Sequence, residues 1–103
     1  MRIVVHARPP LYDVRKSKAD FVARLADFAF LLWIALDGYE PEPGARVTIE
    51  VALRTRCGAP RLIHLCESVV DALETLGIDP AKFDSLQYKR GKASRDHIRI
   101  SFK

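Results

Sequence analysis

The sequence predicts a small α/β domain, of the α+β kind, in which a mixed sheet packs against two helices in the element order βαβαββ. Three observations lead to this prediction. The chain has 103 residues, a length that suits one domain (residues 1–103) with a single core. Apolar residues recur at helical spacing in two stretches and alternate with polar residues in the others. Single glycines and prolines separate these stretches.

The first strand and the first helix have clear boundaries in the sequence. Arg2 to His6 alternates around Ile3 and Val5, which is typical of a strand. Arg8-Pro9-Pro10 ends this strand, because proline cannot donate to a sheet ladder. After a basic loop, Ser17 is expected to cap a long helix, and Gly38 is expected to follow its last turn.

The first helix is apolar on more than one face. Its expected buried stripe is Phe21, Leu25, Phe28, Leu32 and Ala35. Phe30, Trp33 and Ile34 lie on its other faces, and a chain this short has little material to cover them. We therefore expect these three residues to form a dimer interface. The alternative is a helix sunk between the sheet and the second helix, with only Trp33 partly exposed.

The rest of the chain supplies a strand, a helix and two more strands. A long strand is expected over residues 46–56, and a second helix from about Leu62 to Leu76. Asp79-Pro80 is expected to open a short helical turn, with proline in its first position. Residues 85–88 and 97–102 are then expected to form a basic hairpin around a turn at residues 91–95.

Positive charge is concentrated in the second half of the chain. Residues 1–53 contain seven Lys/Arg and seven Asp/Glu, whereas residues 54–103 contain ten and six, which accounts for the net charge of +4. Such clustering fits contact with a phosphate backbone, and an ordinary solvated surface is the alternative. The residues expected to contact phosphates are Arg15, Lys16, Lys18, Arg54, Arg56, Arg61, Lys89, Arg90, Lys92, Arg95 and Arg99.

The sequence also favours a cytoplasmic protein that does not engage a membrane. Arg2 and Arg8 bracket only a short apolar run, unlike the pattern of a signal peptide. The longest uncharged apolar segment, Phe28 to Leu36, is too short to span a bilayer. Cys57 and Cys66 lack the spacing of metal ligands, and we expect free thiols in a reducing compartment.

Four features spread over nearly the whole chain resemble one known family. They are the opening strand with Pro9-Pro10 and a basic loop, the long helix followed by a long strand, the helical segment containing Asp71-Ala72-Leu73, and Asp84-Ser85 before a basic segment. In this order they are similar to the RusA-type Holliday junction resolvases, small dimeric endonucleases of phages and prophages. The resemblance implies a RusA-like dimer that grips branched DNA in a bacterial or phage-infected cell. It also implies Mg²⁺ held by aspartates.

The chain departs from this family at the metal site. The family opens its second helix with Asp-x-Asp-Asn and places a lysine one turn later. The matching residues here are Arg61, Leu62, Ile63 and His64, with Glu67 at the lysine position. Mg²⁺ requires oxygen ligands, which neither Arg61 nor Ile63 supplies. Of the acidic set only Asp84 and Asp79 remain as metal candidates, so we expect cleavage by the family's mechanism to be lost.

A displaced catalytic site is a further hypothesis. His64, Glu67 and Asp71 are spaced so that they share one helical face. With Asp84 they would form a set of one imidazole and three carboxylates, which suits Mn²⁺ or Zn²⁺ better than Mg²⁺. Polar residues at this spacing are also what the exposed face of any amphipathic helix displays.

The sequence therefore favours a dimeric protein that binds branched DNA without cofactor and without cleavage, such as a recombination accessory of a phage or prophage. One alternative is a regulator or inhibitor that uses the same scaffold to bind a protein partner. Another is an active Holliday junction endonuclease that uses Mg²⁺ or Mn²⁺ at the displaced ligands.

Overall fold

The computed structural model describes residues 1–13 and 15–103. It contains two helices and a four-stranded mixed sheet, which confirms the predicted α+β class and the βαβαββ order. The elements in chain order are β1 (Arg2–Val5), α1 (Lys18–Leu36), β2 (Arg46–Leu53), α2 (Ala59–Thr75), a 3₁₀ turn (Pro80–Lys82), β3 (Ser85–Lys92) and β4 (His97–Phe102).

The strand order decides where the functional side chains lie. The order across the sheet is β1-β4-β2-β3, in which β2 and β3 are parallel and β4 is antiparallel to both β1 and β2. Strands β1, β2 and β3 therefore all point the same way. Both helices connect parallel strands in the same direction across the sheet, so right-handed crossovers place them on one face, where they contact each other. The other face of the sheet is open.

The core lies between that sheet and the two helices. It contains the alternate residues of the strands, such as Val47, Ile49 and Val51 of β2, and the facing stripes of α1 and α2. On α2 the inner stripe includes Leu65, Val69 and Leu73, which are fully buried. Burial of these branched aliphatic side chains is the main source of stability in a domain of this size.

The caps of the first helix are as predicted. The Ser17 hydroxyl accepts a hydrogen bond from the backbone N–H of Asp20 at 3.1 Å, which satisfies one of the free donors of the first turn. The helix ends at Leu36, where Asp37 adopts a left-handed conformation (φ 48°) and Gly38 follows with φ 80°. Asp79 likewise caps the short turn after α2, accepting from the N–H of Ala81 at 2.9 Å.

The outer face of α1 is exposed, as the sequence predicted. Phe28, Leu32 and Leu36 are buried on the inner face, whereas Phe30 and Trp33 remain more than half exposed. The alternative of a helix covered on all sides is therefore wrong for this chain. Within the described residues, no helix combines the length and the apolar character that crossing a membrane requires.

The predicted hairpin between the last two strands is wrong. Strand β3 continues to Lys92, beyond the predicted end at Tyr88, and it pairs with β2 in parallel over its whole length. Strand β4 pairs with β1 and β2, so β2 lies between the last two strands. The connection at residues 93–96 crosses the end of β2 instead of making a tight turn.

Two other boundaries differ from the prediction. Strand β2 ends at Leu53 and not at residue 56, and α2 begins at Ala59, ahead of the predicted Leu62. Gly58 is the N-cap and has no side chain to mark the boundary, and Pro60 is tolerated in the first turn, where its missing N–H costs nothing.

Candidate nucleic-acid interface

Most of the predicted phosphate-binding residues lie at one end of the molecule, here called the basic end. It is the end at which β1, β2 and β3 finish and both helices begin, because each helix follows a strand and runs back antiparallel to it. Lys89 and Arg99 are the exceptions. The predicted residues at the basic end are Arg15, Lys16, Lys18, Arg54, Arg56, Arg61, Arg90, Lys92 and Arg95.

A cleft of about 510 Å³ lies at the basic end between the last residues of β2 and β3 and the start of α2. Arg54 and Arg56 reach it from the segment after β2, and Arg90 and Lys92 reach it from β3. Within the part of the chain that the structure describes, no carboxylate lines this cleft, and none lies within ion-pair distance of these four side chains. The lining of the cleft therefore carries a net positive charge.

The start of α2 adds to the positive potential of the cleft. Leu62 and Cys57, on either side of the first helical turn, are part of its lining. Gly58 offers no side-chain acceptor to the first turn of α2, and that turn contains no acidic residue. The first backbone N–H groups of the helix therefore receive no side-chain acceptor. The helix dipole also places partial positive charge there.

The loop between β1 and α1 extends the basic end. Arg15 contacts Asp13, with Nε 3.2 Å from Oδ1. Hydrogen bonds from the backbone and then the side chain of Arg15 hold the pKa of Asp13 below its ordinary value. Tyr12 and Leu11 of this loop share a second cleft, of about 490 Å³, with Arg61 of α2. The loop and the start of α2 are thus neighbours.

Lys89 and Arg99 lie elsewhere, on the open face of the sheet. Glu50 stands between them on β2, with its carboxylate 3.4 Å from Arg99 Nη1 and 4.0 Å from Lys89 Nζ. The Glu50 side chain is only 15% exposed, so this carboxylate compensates much of the charge of its two neighbours. These two residues are therefore separated from the cleft and are weaker candidates for phosphate contact.

The displaced metal site is only partly assembled. His64, Glu67 and Asp71 line the second cleft, and His64 Nδ1 lies 3.5 Å from a Glu67 carboxylate oxygen. Asp84 is not with them. Its backbone N–H donates to Ala45 at the start of β2, and its carboxylate lies 3.7 Å from Arg46 Nε.

The metal candidates of the resemblance are also separated in the structure. Asp84 lies where β3 begins, beside the end of α2, whereas Arg61 and Ile63 are in the first turns of α2. A helix of 17 residues is about 25 Å long, so one protomer does not bring these positions together. Asp79 is engaged as the cap of the 3₁₀ turn. Among the described residues, no group of three His, Cys, Asp or Glu side chains is placed to hold a metal ion.

Two polar groups, the buried Cys66 and the partly exposed Tyr88, have raised pKa values. Cys66 is fully buried, and this burial raises the pKa of its thiol to about 11. Tyr88 of β3 faces the same helix, where burial, together with the charges of Glu67 and Asp71, raises the pKa of its phenol. Both side chains are therefore neutral at physiological pH, and we assign them no reactive role.

Sequence reasoning missed several residues of the basic end. Arg8 follows β1 and is exposed there, and His6 and His97 face each other across β1 and β4 with ring centroids 6.0 Å apart. The sequence could have indicated Arg8, because this cation comes soon after the predicted first strand. The pairing of the two histidines was not readable, because it depends on which strands are neighbours.

Comparisons with known proteins identify no relative of this chain. No family model matches the chain, and no curated protein matches it. The resemblance to the RusA-type resolvases therefore remains an expectation from the residues quoted above.

Proposed function

We propose that this protein is a homodimer that binds DNA by its phosphate backbone at the basic end and does not cut it. Branched DNA is the form that the resemblance implies, and the setting that it implies is the cytoplasm of a bacterial or phage-infected cell. The proposal concerns a structural role in recombination, as a RusA-like accessory, and needs no cofactor.

One observation carries the proposal: four cations surround a cleft that no described carboxylate lines. The segment after β2 supplies Arg54 and Arg56, and β3 supplies Arg90 and Lys92. These parts of the chain are separate in sequence, yet they meet at the carboxyl ends of the parallel strands. Unpaired surface cations at such density repel one another, so their concentration on one surface costs stability unless an anion binds. A polyanion binds such a surface by releasing its own counterions.

The exposed face of α1 supports the dimer. Along this face three alanines, Ala19, Ala23 and Ala26, are followed by Phe30, Trp33 and Ile34, and the bulky three are each 55–58% exposed. Phe30 and Trp33 stack with ring centroids 5.9 Å apart. An antiparallel pairing about a two-fold axis would place the alanines of one copy against the large side chains of the other.

Area and charge agree with this pairing. The exposed apolar side chains of α1 present roughly 400–500 Å² per protomer, since one aromatic side chain carries about 150–250 Å². Two copies would then bury about 800–1,000 Å², which at its upper end reaches the roughly 1,000 Å² expected of the smallest specific interfaces. The same pairing would bring Lys18 of one copy near Asp37 of the other, at opposite ends of the two helices.

The proposal that this protein does not cut DNA rests on the residues at the start of α2. Arg61 and Ile63 stand where the family has aspartates, and Asp84 lies at the far end of the helix. A hard cation at Arg61 would meet a positive charge in place of a ligand. This supports binding without the water activation that a metal ion would supply.

Mobility shift with a four-way junction, a linear duplex and a single strand tests the binding. The variant Arg54→Gln/Arg56→Gln is expected to weaken binding of every DNA form, because both guanidinium groups line the cleft. Lys82→Gln/Lys103→Gln removes the same charge from the opposite end of the strands and is the matched control. Equal weakening by both variants would point to a general charge effect and would contradict the proposed site.

The protein-binding alternative gives a different result in the same experiment. A regulator that engages a protein partner through α1 would bind all three DNA forms weakly and equally, and neither double variant would matter. That outcome would overturn the DNA-binding proposal.

A further inference from the structure

We infer that the cleft at the basic end holds one unpaired nucleotide of the bound DNA. This inference rests on the proposed function, since it names which part of the DNA enters the cleft. It adds that the protein distinguishes DNA with an unpaired nucleotide from DNA that is fully paired.

The size of the cleft excludes paired DNA from its interior. Its volume of about 510 Å³ lies within the range of about 300–1,000 Å³ that is common for sites that enclose small ligands. A duplex is far larger, since its major groove alone is about 12 Å wide. A duplex can therefore lie across the mouth of the cleft but cannot fill it.

The floor of the cleft is apolar. Val51 and Leu53 of β2, Leu62 of α2 and Cys57 form it. An apolar floor adds nothing to the binding of a bare phosphate, which prefers water or hydrogen-bond donors. It does suit the flat face of a base, whose transfer from water onto apolar side chains is favourable.

The walls of the cleft complement the other parts of a nucleotide. The guanidinium groups of Arg54, Arg56 and Arg90 are planar and can stack on a base or bind a phosphate through two parallel hydrogen bonds. Lys92 adds a fourth positive charge. The first turn of α2, which has no side-chain cap, lies between Cys57 and Leu62, and both of these residues line the cleft.

These features together fit an amphipathic anion with a flat apolar part. An unpaired nucleotide in a DNA strand has this chemistry, and the neighbouring phosphates of that strand would reach the cations outside the cleft. Branch points are places where bases are readily unpaired, so such a cleft would favour branched DNA without reading its sequence.

Binding of a duplex with one bulged nucleotide, compared with a fully paired duplex of the same length, tests the inference. The bulged nucleotide is 2-aminopurine, so its fluorescence reports its environment. We expect the bulged duplex to bind about tenfold more tightly at the same salt concentration, since one stacked base contributes about this much. A third duplex with an abasic site at the bulge should bind like the paired one.

Filling the cleft without changing its charge is the decisive variant. Ala93→Phe adds bulk at the lining of the cleft, and Thr55→Phe adds it from the segment after β2. Both are expected to lower binding of the bulged duplex to the level of the paired duplex and so to abolish the preference. Ser94→Phe, one residue along and outside the lining, is the matched control and should keep the preference.

The outcomes separate this inference from the proposed function. Equal binding of bulged and paired duplex by the unaltered protein would refute the cleft assignment and leave DNA binding intact. Binding of neither duplex would refute both. Persistence of the preference in Ala93→Phe and Thr55→Phe would also overturn the inference.

Discussion

The backbone N–H of Arg54 donates a hydrogen bond to Oδ1 of Asp96 at 2.8 Å. Arg54 is the first residue after β2, and Asp96 closes the connection between β3 and β4, so this bond ties the connection to the strand that it crosses. It also holds the backbone from which the Arg54 side chain reaches the cleft. The one carboxylate of this connection is thus used to position a cation.

Removal of this carboxylate should loosen the basic end. Asp96→Ala leaves the N–H of Arg54 without its acceptor, and we expect a loss of about 1 kcal/mol in the free energy of unfolding. Asp96→Asn keeps an oxygen acceptor and should lose less. Urea denaturation measures both, and equal stability of Asp96→Ala and the unaltered protein would show that water replaces the carboxylate fully.

Gly91 should tolerate no side chain. A Cβ at this position would lie 2.9 Å from the Ala52 Cβ and 3.0 Å from Glu50 carbon atoms, and Ala52 is fully buried. We expect Gly91→Ala to destabilise the fold by about 1–3 kcal/mol, the usual cost of overpacking. The double variant Ala52→Gly/Gly91→Ala should recover part of this loss in thermal denaturation, whereas additive losses would contradict the predicted contact.

The dimer should depend on the bulky half of the exposed α1 face. Trp33→Glu would place two buried charges at the two-fold interface, so we expect light scattering to report a mass near 11.6 kDa in place of twice that value. Ile63→Glu puts the same charge on an exposed apolar position of α2 and serves as the control. A monomeric unaltered protein, or a dimer unaffected by Trp33→Glu, would contradict the assigned interface.

The two cysteines should differ in reactivity and in their effect on stability with pH. Cys57 is partly exposed and should react first with a thiol reagent, whereas Cys66 should react only on unfolding. Burial raises the Cys66 pKa from 9.0 to about 11, so the folded chain keeps its proton longer than the unfolded chain. This stabilisation is complete below pH 9 and is lost as the pH rises towards 11.

The matched variant for this pH effect is Cys66→Ala. Its free energy of unfolding should fall less steeply between pH 9 and 11 than that of the unaltered protein, because the titrating thiol is gone. Identical pH profiles for the two proteins would show that the thiol does not contribute.

The junction should stay intact when divalent metal is added. We expect no product from a labelled four-way junction incubated with Mg²⁺ or Mn²⁺, because Arg61 and Ile63 stand where the resemblance implies aspartate ligands. Glu67→Gln and Asp84→Asn should therefore behave like the unaltered protein. Cleavage that either variant abolishes would establish the displaced site.

Local signals in the sequence predicted most helices and strands, but they could not predict which strands pair with each other. Ser17 and Asp79 marked helix starts because each uses its own side chain as a cap. Gly58 gave no such mark, so the start of α2 was placed too late. The end of β3 was also missed, because the alternation in Lys89-Arg90-Gly91-Lys92 involves cations and a glycine that resembled a turn.

The sequence predicted which residues form the candidate site, but it did not predict where in the fold they meet. Charge clustering identified Arg54, Arg56, Arg90 and Lys92, yet only the parallel pairing of β2 with β3 brings them to one cleft. The same pairing separates Asp84 from His64, which helical spacing alone could not show. Strand order depends on contacts distant in sequence, and a local pattern carries no information about it.

The salt dependence of junction binding tests the central proposal most directly. If phosphates contact the cations of the basic end, the logarithm of the association constant should fall linearly with the logarithm of salt concentration, by about 0.9 for each phosphate contact. Arg54→Gln/Arg56→Gln should reduce that slope by roughly two contacts, and Lys82→Gln/Lys103→Gln should leave it unchanged. A slope near zero, or one that the first variant does not reduce, would contradict the proposal.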